Sequence, residues 1–359
     1  MAKMFCSFIL GIFMAGAMIT VDVPQAFAAE KWTFSQPWVR PLPNKFYTIF
    51  CDRVKEYTNG QIEIELFIDG LLANHDETFH GVQDGSITIG VISPYVNLVP
   101  GGMLNWMPWA TSNWDEAAIA YDTKDGILHQ VMEKAYNEVG MHVLFHMASG
   151  SYGLGNTKRA LRTPADFKDL TFRVSNSLAS VRMLENIGKG TGMTLQTLPW
   201  SEIYNGLSRG VVDGCWSLWP SLLDERIFEV LKHYSDVDFS WDNQNIVINK
   251  AIWDKQPQEI KDAISRAAAE AQSLGMEGTK ASLDQYIKKL VAEPSITVTF
   301  LTPEERAILE KASDMPAIWK EIAEPWLEKA YPGQNMSQKI RDELAGIRQE
   351  VIEKQKARK

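Results

Sequence analysis

The chain has 359 residues, and at about 150 residues per domain that is length for about two domains, each able to bury its own core, which excludes a disulfide- or metal-stapled miniprotein. With 45% hydrophobic against 23% charged residues it is too apolar to stay disordered. Lys+Arg total 36 against 45 Asp+Glu, a net charge of -9, and no Lys/Arg-rich stripe of the kind that neutralises phosphates is present, so no nucleic-acid partner is expected.

At the N-terminus, Lys3 supplies a short positive start, Phe5 to Val21 is almost wholly apolar, and Ala26-Phe27-Ala28 puts small residues at the two positions a signal peptidase reads. Residues 1–28 therefore read as a cleaved export signal. A run of about 17 apolar residues is near the lower limit for a membrane span, but Asp22, Pro24 and the cleavage site follow at once. No later stretch reaches membrane length, so no stable membrane insertion is expected after cleavage. Cys6 leaves with the signal. Cys51 and Cys215 could pair in an oxidising compartment, yet one falls in a predicted helix and the other in a distant predicted strand, which favours two separate buried thiols.

Trp32 to Ser35 reads as a short strand, and Phe46, Ile49, Phe50, Val54 and Tyr57 then recur at helical spacing until Thr58-Asn59-Gly60. Ile62, Ile64, Leu66 and Ile68 alternate with Glu63, Glu65 and Phe67, a strand with one face on the core. A helix from about His75 to Gln83 and a short apolar run, Ile87 to Ile92, complete β-α-β-α-β, the order of a parallel sheet with helices on both faces. The pattern recurs from Met141. Thr163-Pro164-Ala165-Asp166 is a helix start, with a hydroxyl cap, proline at the first position and an acid at the third. Strands are predicted at Thr171 to Val174, Met193 to Thr197, Val211 to Leu218, His233 to Phe239 and Asn245 to Ile248, with helices at Ser177 to Ile187 and Ser201 to Ser208. A helical stretch from Pro257 to Ala292 is too long for one small lobe and should run along both. Ile296 to Phe300 is a last strand, and from the capping signal at Thr302-Pro303-Glu304-Glu305 onward the chain reads as helices. The fold class is α/β: a two-lobed clamshell with hinge-crossing strands, lobe I being 29–150 plus about 243–282 and lobe II 151–242 plus about 283–359.

For chemistry, His75, His80, His129, His142, His146 and His233 form no HExxH or CxxC-partnered metal spacing. Gly188-Lys189-Gly190-Thr191-Gly192 follows a helix and precedes a strand, the reverse of a phosphate-binding turn. No metal or cofactor is expected. The unusual feature is twelve tryptophans, several next to predicted strand ends, where open α/β sheets bind ligands: Trp38, Trp106, Trp109, Trp200, Trp216, Trp219 and Trp241. Arg173, at the end of a short apolar strand, can hold a carboxylate with two parallel hydrogen bonds.

The sequence resembles the solute-binding proteins of tripartite ATP-independent periplasmic (TRAP) transporters, in the family first named for dicarboxylate uptake. The matching segments include Met107-Pro108-Trp109, Thr163 to Val174, Leu198-Pro199-Trp200-Ser201-Glu202-Ile203-Tyr204 and Gly210-Val211-Val212-Asp213-Gly214, in family order. The resemblance implies a periplasmic, non-catalytic protein that closes on an organic acid anion and delivers it to separate TRAP membrane permease subunits. It implies Arg173 as the carboxylate clamp, Trp200, Trp109 and Trp241 as walls with Trp216 adding apolar surface, and Ser217, Tyr152, Ser93 and Asp242 as orienting hydrogen-bond partners. Two departures, Gly153 where some members have a second arginine and Ser217 where many have asparagine, remove polar reach and favour a small or partly apolar acid over a sugar acid. Carboxylate and sulfonate stay open, since arginine clamps both. The alternatives are a secreted α/β enzyme, for which the sequence offers no nucleophile-base pair, and a ligand-binding module of a sensor, which would share the fold.

Overall fold

The structure, a computed structural model, describes residues 29–39, 41–93 and 98–357, so the export signal lies outside the described residues. The chain opens with β1 (Glu30–Ser35), α1 (Pro41–Tyr57), β2 (Ile62–Phe67), α2 (His75–Asp84) and β3 (Ile89–Ile92). Asn74 caps α2 in a reciprocal box with Glu77, and Gly85 ends it in the left-handed region at φ 86°. β1 pairs in parallel with both β2 and β3, as the β-α-β-α-β order requires. Glu63 and Glu65 mark β2 as an edge strand. β3 is interior and buried along its whole length.

Two short helices, α3 (Trp114–Ala120) and α4 (Ile127–Asn137), lead to β4 (Met141–Ser151) and, after Tyr152 alone, to β5 (Gly153–Asn156). Then follow β6 (Thr171–Val174), α5 (Leu178–Ile187), β7 (Thr194–Thr197), α6 (Ile203–Ser208), β8 (Gly214–Ser217), α7 (Trp219–Asp224), β9 (His233–Asp236) and β10 (Trp241–Asn249). The Thr163 helix start is a single 3-10 turn with the expected reciprocal box to Asp166. The first sheet has the order β2-β1-β3-β10-β4; the second, closed by β11 (Thr297–Phe300), has the order β11-β9-β5-β8-β6-β7.

Neither sheet is purely parallel. β10 runs antiparallel to β3 and β4, and β5 runs antiparallel to β8 and β9. The cause is the crossing. The chain leaves the first sheet at the end of β4, enters the second as β5, and returns from β9 into β10, so each sheet receives one strand of a two-strand ribbon. At the crossing, Tyr152 N–H donates to Ser240 O at 2.8 Å and Phe239 N–H to Tyr152 O at 3.1 Å.

After α8 (Lys250–Lys255) comes α9 (Gln258–Val291), 34 residues and about 51 Å long at 1.5 Å per residue. It packs on α1 and β4 at one end and on α7 and β11 at the other, so it braces both sheets. The tail holds α10 (Pro303–Ala312), α11 (Met315–Ile318), α12 (Glu324–Ala330) and α13 (Met336–Ala357). α10 and α11 pack on α5, beside the second sheet, whereas α13 packs on α3 and α4, beside the first. Among the described residues no helix is long and apolar enough to cross a membrane.

Candidate functional site

Between the two sheets lies a cavity of about 400 Å³ lined by Trp38, Ser93, Trp106, Tyr152, Arg173, Ser175, Trp200, Trp216 and Gln244. The first sheet and its loops contribute Trp38, Ser93, Trp106 and Gln244; the second contributes Arg173, Ser175, Trp200 and Trp216; Tyr152 stands at the crossing. Five aromatic side chains around a handful of convergent polar groups is the composition of a small-molecule site. A larger groove of about 580 Å³ runs past Trp109, Trp319, Arg341 and Arg348 on the side of α13, but its polar groups are half-exposed side chains already engaged with one another.

Arg173 is 2% exposed. Its strand, β6, is interior, with β7 on one side and β8 on the other. Asp213 fixes the start of that strand: its carboxylate accepts from Thr171 N–H at 2.9 Å and its own N–H donates to Thr171 O at 2.7 Å. Burial raises the Asp213 pKa, but the Thr171 N–H and the Lys158 ammonium outweigh it and hold the carboxyl below the usual range. The Arg173 Nε–H donates to Leu198 O at 2.8 Å. The guanidinium carbon stands 5.7 Å from the centre of the Trp200 ring and 5.7 Å from that of Trp216, within cation-π range of both. The Leu198-Pro199-Trp200 turn thus supplies a carbonyl that aims the guanidinium and an indole that packs on it. Trp200 is held in turn by its Nε1–H bond to Glu225 at 2.5 Å. Behind Arg173, burial pushes the Cys215 thiol up to about 12, leaving it a packing group; Cys51 is likewise buried and unpaired.

The facing wall is a hydrogen-bonded chain. Ser93 Oγ–H donates to Gln244 Oε1, Gln244 Nε2–H donates to Asp242 Oδ1 at 2.8 Å, and the Tyr152 hydroxyl donates to the same Oδ1 at 2.9 Å. Asp242 is fully buried and lies behind this wall. Ser93 N–H also donates to His75 Nε2 at 3.3 Å, and the His75 ring stacks on Trp38 with centroids 5.0 Å apart. Trp106 is anchored by its Nε1–H bond to Asn243 O at 3.0 Å.

Of the residues singled out from the sequence, Arg173, Trp200, Trp216, Tyr152, Ser93, Trp38 and Trp106 meet in this cavity, and Asp242 supports it through Tyr152 and Gln244. Trp109, Trp241 and Ser217 do not reach it. Trp109 adopts a left-handed backbone at φ 60°, tied to Phe239 O, and its indole N–H bonds Ser313, so it serves the crossing and the outer groove. Trp241 packs edge-on against Trp114 at 4.7 Å inside the core. Ser217 is fully buried in β8, its hydroxyl turned to the Leu218 carbonyl. Gln244 and Ser175 went unnoticed in the sequence. For Gln244 a signal existed: Asp242-Asn243-Gln244-Asn245 is a run of four polar residues immediately before the apolar Ile246-Val247-Ile248. Among the described residues no three His, Cys, Asp or Glu side chains gather as metal donors.

Residues 40–325 match the family described as bacterial extracellular solute-binding protein, family 7. The chain is 27% identical over 252 residues to the 2,3-diketo-L-gulonate-binding periplasmic protein of Escherichia coli, covering 68% of this chain and 69% of that one. It is 24% identical over 286 residues to the C4-dicarboxylate-binding periplasmic protein of Rhodobacter capsulatus, covering 77% of this chain and 80% of the relative. Its fold is similar to that of a TRAP periplasmic solute binding protein from Sulfurospirillum deleyianum solved with bound succinate, with a TM-score of 0.71 and 23% identity over 85% of this chain and 99% of the other.

Proposed function

The chain belongs to the bacterial extracellular solute-binding proteins of family 7, and from that premise we propose that it captures an organic acid anion in the cavity between its sheets and delivers it to TRAP permease subunits in the membrane. Its working compartment is the periplasm, where relatives of the same family act. The observation that carries the reading is Arg173: a buried guanidinium, aimed by Leu198 O and within cation-π range of two indoles, in a cavity lined by aromatic side chains and a few polar groups. A buried guanidinium on the wall of a cavity suits an anion, and its planar fork fits a carboxylate. The relatives named for diketogulonate and C4-dicarboxylates, and the structural neighbour holding succinate, all pair with carboxylates, which agrees with this choice. We take the two sheets as the cores of lobe I and lobe II, with α9 as the shared brace and the β4–β5 and β9–β10 crossings as the hinge; β10 from Trp241 on and α13, which packs on α3 and α4, go with the first sheet rather than with the second lobe as the sequence bounds had them.

A thermal-shift screen of the mature protein against carboxylates and sulfonates tests the proposal. A ligand that binds only the native state adds about 2.7 kcal/mol at a hundred times its dissociation constant, so the true anion should raise the melting temperature by several degrees. Silence across the carboxylates and sulfonates would count against the proposal.

A further inference from the structure

We infer that His75 is a positioning residue for the ligand, setting from behind the cavity wall where Ser93 and Trp38 stand. The inference rests on the organic-anion reading above and adds a residue to that site. His75 is the first residue of α2, whose start is fixed by the reciprocal box between Asn74 and Glu77. α2 packs on β3, which brings the imidazole to Ser93, just past the end of that strand. Ser93 N–H is a donor, so the ring nitrogen facing it, Nε2, is the acceptor and the ring proton sits on Nδ1. There Asp76 Oδ1 receives it at 3.1 Å. The ring is therefore neutral, and burial, which outweighs Asp76, keeps its pKa below the ordinary histidine value. Ser93 is thus held twice, its N–H by His75 and its hydroxyl by Gln244. The same imidazole lies 29° from parallel to the Trp38 indole, with centroids 5.0 Å apart, while Gln36 Oε1 accepts the Trp38 backbone N–H at 2.9 Å. One ring so ties together a hydroxyl and an indole that line the cavity from two separate segments, the end of β3 and the loop after β1. His75 is not itself among the lining residues. Its loss would leave both groups on the wall but free to shift, and a site loses affinity when the groups behind it are loose.

Nitrogen-edited NMR of the unliganded mature protein at neutral pH tests the bond itself: the His75 ring should carry its proton on Nδ1, and a proton on Nε2 overturns the inference. Calorimetry then reads the consequence with succinate and benzoate, or, where neither titrates, with the carboxylate or sulfonate that gives the largest thermal shift. His75→Leu removes the acceptor and the stacked ring and should bind at least about fivefold more weakly than the parent, the size of one lost hydrogen bond; a smaller loss overturns the inference. His75→Gln has similar bulk and an amide oxygen that can take the place of Nε2, so it should bind at least about threefold more tightly than His75→Leu. A smaller gain also overturns it, since a side chain that only fills space gives no such rescue. If Arg173→Ala abolishes binding while His75→Leu binds as the parent does, this inference falls alone and the organic-anion reading stands. Silence of every carboxylate and sulfonate in the wider screen would remove both.

Discussion

Four consecutive polar side chains, Asp242 to Asn245, are buried in one strand, and each takes part in at least one side-chain hydrogen bond. Asn243 illustrates the consequence: its side chain donates to Asn105 Oδ1 at 2.6 Å, and it lies 3.0 Å from His146 Nδ1, whose other ring nitrogen is 2.9 Å from His129. Burial first, then the charge of His129, holds His146 well below its ordinary pKa. The sign follows: the unfolded chain takes up this proton at about pH 6.5 while the folded chain does not, so the fold loses stability as pH falls past that value. Asp236 works the other way, since burial and the Asp238 carboxylate raise it and its proton stabilises the fold in acid. A difference measurement separates the two. In urea unfolding at pH 7.5 and 5.5, His146→Asn should lose about 1 kcal/mol less than the parent between the two pH values, and equal losses would show that His146 is not kept neutral by the fold. At this scale the sequence was legible where a local motif sets the side chain, as for Arg173 and Trp200. It was not legible for Trp109 and Trp241, because a tryptophan at a strand end fills a core and lines a cleft with equal ease, and only the neighbours across the crossing decide.

Helix α9 has a modest amphipathic pattern, yet it lies closely on β4 and α1 because it carries glycine where they meet. A Cβ on Gly275 would stand 2.4 Å from Met147 Sδ, and one on Gly278 would stand 2.3 Å from the Phe46 ring. Glycine in a helix interior costs about 1 kcal/mol relative to alanine, and here that cost is offset by close packing. Gly346 in α13 is exposed, with no atom near its absent Cβ. The two positions should therefore respond oppositely to one substitution. Gly346→Ala is expected to stabilise by about 1 kcal/mol, and Gly278→Ala, against the rigid Phe46 ring, to destabilise by about 1–3 kcal/mol through overpacking, both read from chemical denaturation; stabilisation by Gly278→Ala would mean the helix can move away freely. The length of α9 and its span of both sheets were readable from Pro257 to Ala292. The antiparallel strands were not, because local order predicts which segments are strands but not that the chain crosses twice between sheets. The helices at 114–120 and 127–137 also went unread, being short segments recruited by tertiary packing.

As a whole molecule, the protein is two sheets joined by a two-strand ribbon, with α9 along both and a cavity where they face each other. Residues of both sheets line the cavity, so neither sheet alone completes the site, and binding and approach of the sheets should be linked. Closure around the ligand should bring Trp38 and Trp106 toward Trp200 and Trp216, and the membrane partner would then distinguish loaded from empty protein by the surface the closed form presents. All of this depends on one guanidinium. Truncating one side of a buried charge pair costs about 2–5 kcal/mol, which at about 1.4 kcal/mol per tenfold is at least about thirtyfold in affinity. The decisive measurement is calorimetric titration of the folded Arg173→Ala protein, beside the parent, with the acid that gives the largest thermal shift: the account predicts at least about thirtyfold weaker binding, and an affinity within about threefold of the parent, about 0.6 kcal/mol, would contradict it.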